Sequence, residues 1–310
     1  MFRFYVYSLG FYLIIGVLVH FGRNILLNDL KGEKLGNETR GDLFRLPAKF
    51  INTNGIQSMA AIPSGLFSMG GELEHPIHTV RVSSFFIDRC EITSSRWGIV
   101  AKWSKTNGYD LPDAGCFGGP DHPAVMVNWF DTIKWCNARS EMEQLRPCYY
   151  VDQDCLTVYR SGVIAPFVKW KHGFRLPTES EWERAAKGGY DQASFPWPTN
   201  QSISITIANY RESGLFGTVP VASYTPNPFG LFDLAGNVRE WCWDIWGPYK
   251  SDFESNPHGS PLGRYRVVRG GSWLSNKDHC RVSFRYYYYS RLPLSRDYQT
   301  GFRTVVQMSE

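Results

Sequence analysis

The stretch that decides how this chain reads is Phe229–Asp244, FGLFDLAGNVREWCWD, with its sequel RVVRGGSW at Arg266–Trp273. Inside it Asp233 and Glu240 bracket Gly236 and Val238, so two carboxylates and two small-residue carbonyls fall within one tight turn. Hard oxygen donors at such close spacing suit Ca²⁺, which takes about six to eight oxygens in a flexible shell. The same residues equally describe an Asp-capped Gly-Asn turn running into a buried, Trp-rich strand with no ion involved. The rest of the chain has to decide between the two.

At 310 residues the chain is long enough to bury a sizeable core. Its aromatic content of 15%, with 29 Gly and 18 Pro, points to short elements joined by many turns rather than to long helices. The net charge of +4 comes from interspersed acids and bases. A nucleic-acid binder needs a one-sided basic face, so that class is set aside. Seven cysteines, at 90, 116, 136, 148, 155, 242 and 280, show no CxxC or His-Cys metal spacing. Cys148 and Cys155 flank a short loop that a disulfide would close in an oxidising compartment. Cys136, in the amphipathic WFDTIKWC, reads as a small core residue.

Phe4–Gly22 (FYVYSLGFYLIIGVLVHFG) is apolar, carries only His20 among its titratable groups apart from tyrosines, follows Arg3, and is long enough to cross a bilayer as a helix. No Ala-x-Ala-like site follows it and Arg23 comes at once. Residues 1–23 are therefore expected to be a signal peptide or signal anchor, with an uncleaved anchor favoured, and the protein to be extracytoplasmic, periplasmic or secretory. Basic residues on both flanks leave membrane orientation open. Residues 24–49 are charged and polar and read as a linker, and 50–307 show no composition break or internal repeat, as expected for one folded domain.

Within that domain IPSGLFSMGG (62–71) gives a strand ending in paired glycines, and HTVRVSSFFID (78–88) alternates Val80, Val82 and Phe86 as one half-buried strand should. Ser94 or Ser95 is placed to cap a helix bearing Trp97, Val100 and Ala101, which Asn107-Gly108 stops. Asn128 with Asp131 makes a capping-box-like start to a second helix reaching Glu143. Thr178 with Glu181 does the same for a third, whose buried face is Trp182, Ala185 and Ala186 and whose end is Gly188-Gly189. CYYVDQDCLTVYRSGV reads as a hairpin between the second and third helices. The product is a mixed, loop-rich α+β domain behind an N-terminal membrane segment.

Taken in order, GLFSMGG, FFIDRCEIT, HPAVMVNWFDTIKWCNARSE, FRLPTESEWERAAKGG, FPW, PVASYTPNPFGLFDLAGNVREW, RVVRGGSW, CRVSFR and TGFR resemble the formylglycine-generating enzyme family, also called sulfatase-modifying factors. The resemblance runs from about residue 62 to 303. It implies an α+β variant of the C-type lectin fold with little regular secondary structure, stabilised by bound Ca²⁺. It puts Asp233, Gly236, Val238 and Glu240 on one calcium site, and Asn209, Tyr210 and Leu215 on a second, where Ser213 replaces an acid.

Aerobic members of that family oxidise a sulfatase cysteine to an aldehyde with O₂ and a copper(I) ion held by two cysteines. Cu(I) is soft and prefers thiolates, so a pair of them can hold it open to a third from the substrate. In GGSWLSNKDHC the first position is Ser275 and the second is Cys280, while Ser272 matches a position lining the oxygen pocket. A hydroxyl is a hard donor, so Cu⁺ affinity is expected to fall by orders of magnitude. Arg239 stands where members usually carry Trp, and Pro198 replaces the Gly of a Pro-Trp-Gly turn. If the segment is extended, His279 faces away from Cys280.

The expected function is a divergent oxidoreductase of the formylglycine-generating, sulfatase-maturation type acting on a protein or peptide thiol, with Cys280 as its sulfur. Two alternatives stand beside it. One is a non-catalytic binding module for a surface ligand, to which Tyr286–Tyr289 with Arg285 and Arg291 would contribute. The other is a tailoring oxidase that works without a cysteine pair.

Overall fold

The structure is a computed structural model that describes residues 59–198, 201–285 and 292–307. The apolar segment 4–22, the linker 24–49, the chain from Phe50 to the first strand, Tyr286–Tyr289 and Arg291 lie outside the described residues. Everything described belongs to the unit that runs from Leu46 onward. Among the described residues no helix is long and apolar enough to cross a membrane.

The elements in chain order are β1 (Met59–Ile62), β2 (Gly65–Met69), β3 (His78–Val82), β4 (Phe85–Asp88), α1 (Ser94–Ser104), α2 (Trp129–Met142), β5 (Tyr149–Tyr150), β6 (Phe167–Val168), α3 (Glu179–Ala186), β7 (Arg239–Ile245), β8 (Glu254–Ser255), β9 (Arg266–Arg269), β10 (Thr300–Gly301) and β11 (Val305–Gln307). Short 3₁₀ turns cover Arg211–Ser213 and Lys277–Cys280. Three three-stranded sheets, ordered β1-β4-β11, β10-β7-β9 and β2-β3-β8, and the small β5-β6 pair carry the chain. This is the mixed α and β architecture with few helices that the turn-rich composition implies.

The single strand expected over 78–88 is in fact two. β3, central between β2 and β8, alternates buried and exposed residues as a strand with one solvated face does. β4 is the centre of its sheet, between β1 and β11, and buries all four of its residues. The break at Ser83-Ser84 passes the chain from one sheet to the other. The two later capping boxes form as read. Asn128 Oδ1 accepts from Asp131 N and Asp131 Oδ2 from Asn128 N, each at 2.9 Å. Thr178 Oγ1 accepts from Glu181 N at 3.2 Å and Glu181 Oε2 from Thr178 N at 2.9 Å. The cap of α1 is Thr93, one residue ahead of the predicted serines, and its hydroxyl accepts from Arg96 N.

α2 is buried on nearly every face, which fits a helix through the middle of a core better than one on a surface. Around it gather Trp97, Trp129, Trp135, Tyr149, Trp241 and Phe302, with Trp129 Nε1 donating to Cys242 O and Trp241 Nε1 to Val127 O. A second cluster packs α3, through Trp182, Ala185 and Ala186, against β2, β3 and β4. Cys136 lies in the first cluster as expected. Cys148 and Cys155 do not form the disulfide. Cys148 is buried and donates to Gly173 O, while Cys155 stays in its own turn against Gln153 O.

Candidate functional site: a carboxylate turn beside a single-thiol pocket

The turn before β7 is built on left-handed backbone at Asp233, Gly236 and Asn237 (φ 59°, 93° and 54°). Only glycine fits at 236, because a Cβ there would lie 2.2 Å from the Asn209 carbonyl oxygen. Gly236 N donates to Gly270 O and Trp273 N to Asn237 O, so the turn and the RVVRGGSW loop are stitched into one structure. Asn237 Oδ1 accepts from Val219 N, and its Nδ2 donates to Glu91 Oε1 at 3.2 Å. The sequence stretch that opened the reading is thus the hub of this face.

Of the four predicted ligands in this turn, Glu240 is fully engaged elsewhere. Arg303 Nε donates to its Oε2 and Arg303 Nη2 to its Oε1, both at 2.7 Å, and Trp182 Nε1 donates to Oε2 at 2.8 Å. Arg303 spends its remaining donors on the carbonyls of Asp88, Arg89 and Phe232. Asp233 is different: Oδ2 accepts from Ala222 N at 2.7 Å, whereas Oδ1 is buried without a hydrogen-bond partner. Glu91, only 1% exposed, leaves Oε2 in the same condition. Burial raises the Asp233 carboxyl to about 6, with the Glu240 charge adding to it, and burial beside Asp233 and Glu240 pushes Glu91 up further. Two buried carboxylates with one orphaned oxygen each need a shared proton or a cation.

Glu91 was not singled out in the sequence. Its signal was there: a carboxylate between Cys90 and Ile92 at the end of a buried strand has no reason to be charged unless something meets it. A shared proton, or a divalent cation held by Asp233 and Glu91, would meet these two oxygens, whereas Glu240 does not fit a cation while Arg303 holds it. Among the described residues no group of three or more His, Cys, Asp or Glu side chains gathers as a metal shell.

In the second predicted calcium set, the Asn209 side chain and the Asn209 and Tyr210 carbonyls all have partners within the protein. Asn209 is buried, its Oδ1 accepting from Ser213 Oγ and its Nδ2 donating to Gly217 O. The Asn209 and Tyr210 carbonyls accept from Asn237 N and Ser213 N. Leu215 is 55% exposed beyond a turn at Gly214. Ser213, standing where the resemblance places an acid, donates to Asn209 Oδ1 instead.

Gly270 and Gly271 also adopt left-handed backbone (φ 94° and 74°), and this bend brings Cys280 against the loop: a Cβ on Gly271 would lie 2.6 Å from Cys280 Sγ. Cys280 ends a 3₁₀ turn, not an extended strand, with Asn276 as its cap. His279 accordingly leaves the alternation expected of it and stacks on Phe284, ring centroids 4.4 Å apart. Cys280 is fully buried among Trp197, Ile203, Ala208, Tyr210 and Ala235, and among the described residues no other cysteine enters that cluster. Burial pushes its thiol up, with Glu212 and Asp278 adding to the effect.

Ser275 and Ser272 are buried next to it. Ser275 Oγ accepts from Ser272 N at 3.0 Å and meets Ser272 Oγ at 3.2 Å, and Ser272 Oγ donates to Gln299 Oε1 at 3.1 Å. Gln299 O accepts from Arg239 N, and the Arg239 guanidinium, buried, faces Asp297 at 3.6 Å. An arginine–aspartate pair thus stands where, by the resemblance, members usually carry an indole. Trp273, next in the chain after Ser272, belongs to an aromatic cluster with Phe117 and Tyr298, with Phe117 ring centroids 5.6 and 5.7 Å from the other two. One thiol held up by burial and two mutually bonded hydroxyls fit a copper ion that wants paired thiolates poorly. Arg285, expected at a binding surface, is instead partly buried, its guanidinium donating to both Glu179 oxygens and to Gly247 O.

The fold and this face define a small-element α/β domain organised on a glycine-bent loop and a carboxylate turn. The family described as the sulfatase-modifying factor enzyme 1-like domain matches residues 45–308, and the chain belongs to that family. It is 32% identical over 293 residues to a formylglycine-generating enzyme of Thermomonospora curvata, covering 80% of this chain and 92% of that one. It is 46% identical over 245 residues to the serine/threonine-protein kinase Pkn1 of Chlamydia trachomatis, a protein of which it spans only 36%. Among solved structures, Treponema denticola variable protein 1 superposes with a TM-score of 0.68 at 30% identity, covering 83% of this chain and 99% of that one.

Proposed function

We propose that the domain has a sulfatase-modifying type of function on a protein or peptide thiol, in a form divergent from the two-cysteine copper oxidases. What supports this reading is the approach of the Gly270–Gly271 bend to Cys280 Sγ, with Ser272 and Ser275 hydrogen-bonded to each other at the end of the same loop. Family membership supplies the class of substrate, and the hydroxyl at 275 supplies the divergence. In this reading the Phe117–Trp273–Tyr298 cluster holds an extended segment, Ser272 and Gln299 orient the substrate's polar atoms, and Cys280 is the pocket's sulfur. A divalent cation at Asp233 and Glu91, when bound, would neutralise two buried carboxylates and hold the turn that fixes Gly236 against Asn209. An anchor through residues 4–22 would present the domain outside the cytoplasm, a reading that rests on the sequence of that segment.

A second reading, a pure binding module, is favoured by one observation. Ser272, Ser275 and Gln299 satisfy one another, and Cys280 is packed and protonated, so the pocket is stable with no chemistry to perform. Incubation with a sulfatase-type cysteine peptide separates the two. Our reading expects the peptide to be modified, with loss of the effect in Cys280→Ala. Retention of unmodified peptide by both proteins would favour the binding module, and neither retention nor modification would refute both.

A further inference from the structure

A cavity of about 670 Å³ opens between the start of α3, the 170–175 loop, the 256–258 loop and the end of β11. It shares no lining residue with the Cys280 pocket or the Asp233 turn, and its size is that of a small-molecule site. Its walls carry Arg146, Lys171 and Arg175 against a single carboxylate, Glu181. That carboxylate is consumed: Arg175 Nη1 and Nη2 donate to its two oxygens at 2.6 and 2.7 Å, and Thr178 N donates to Oε2. Arg175 is consumed in turn, with its other donors on Trp170 O, Leu176 O and Gln307 Oε1. The charge left to meet a ligand belongs to Arg146 and Lys171. Both are exposed, and among the described residues neither makes an ion pair. Two unspent cations over a closed ion pair favour a group with two negative charges.

The cavity also has a flat wall. Trp170 and His258 stack with centroids 3.7 Å apart and planes 3° from parallel, and Trp243 backs Trp170 edge-on at 5.4 Å. His258 is exposed, and both stacked rings line the cavity, which offers a planar wall for a further ring. We propose that this cavity binds a ring-bearing phosphate of the nucleoside-phosphate class. Its ring continues the Trp170–His258 stack and its phosphates meet Arg146 and Lys171.

The test is calorimetric titration of the full chain with ADP, and separately with adenosine and with inorganic phosphate. Saturable ADP binding, at least about tenfold tighter than either fragment, is expected. The double variant Arg146→Glu, Lys171→Glu should weaken ADP about tenfold or more at an unchanged melting temperature, since both side chains are exposed. His258→Ala should weaken ADP and leave phosphate unaffected. No saturable binding of ADP, equal binding of phosphate and ADP, or an undiminished affinity in the double variant would each overturn the proposal.

Discussion

Replacing Arg303 with methionine tests the electrostatic centre of the carboxylate turn. The guanidinium is completely buried and makes five donations: two to Glu240 and one each to the carbonyls of Asp88, Arg89 and Phe232. Burial alone would lower the arginine, but the Glu240 charge and hydrogen bonds win and raise it. Methionine keeps much of the volume and removes the charge, leaving a buried carboxylate with only the Trp182 indole to meet it. Breaking such a pair costs about 3–5 kcal/mol, a large share of the roughly 5–15 kcal/mol that holds a domain together. Replacing both partners, Arg303→Met with Glu240→Leu, removes the unpaired charge. It still leaves the Asp88, Arg89 and Phe232 carbonyls without this donor and now orphans the Trp182 N–H, worth about 1–3 kcal/mol, so only part of the loss should return. Urea unfolding of wild type, both single variants and the double variant gives the cycle. A loss below about 1 kcal/mol in Arg303→Met, or a double variant less stable than Arg303→Met alone, would refute the assignment of Glu240 to Arg303.

Other expectations follow from neighbouring features. Gly271→Ala combines a left-handed backbone with a Cβ pressed on Cys280 Sγ and the His279 carbonyl; calorimetric melting should show a loss of more than about 1 kcal/mol, and a neutral result would mean that Cys280 does not sit on the loop. Thr178→Ala removes the α3 cap and should lower stability by about 1 kcal/mol in denaturant titration. The Asp233 carboxyl is raised when folded, so its contribution is full below the unfolded value near 4 and drains as pH climbs through about 6. Histidines 122, 258 and 279, held low by burial, pull the other way. The comparison that isolates Asp233 is therefore Asp233→Asn in chelator, whose stability relative to wild type should improve by about 1 kcal/mol between pH 5 and pH 7.5; a flat difference would show that Asp233 is not buried beside Glu91.

What the sequence made legible was local. Capping boxes at Asn128 and Thr178 are written in neighbouring residues, and both helices start where those residues say. The paired glycines at 270 and 271 announce a bend that only they can make. What remained hidden was long-range pairing. Nothing near Glu240 in sequence says that Arg303 will occupy both of its oxygens, and a carboxylate read alone looks available to a cation. Glu91 was overlooked for the matching reason, since its partners Asp233 and Asn237 are far along the chain. The split of 78–88 into two strands is invisible to alternation, which runs on across Ser83-Ser84 although β3 pairs with β2 and β8 and β4 with β1 and β11. His279 was misplaced because a 3₁₀ turn, not a strand, follows the Asn276 cap.

The claim on which the functional account rests is that Ser275 closes, by hydrogen bonds, a pocket that holds one sulfur. Competition titration with Cu(I) of wild type and of Ser275→Cys tests it most directly. The wild type should compete poorly for the ion, and Ser275→Cys, which restores a second thiol beside Cys280, should bind it at least about a thousandfold more tightly. Tight binding by the wild type that is lost in Cys280→Ser, or no gain in Ser275→Cys, would contradict it.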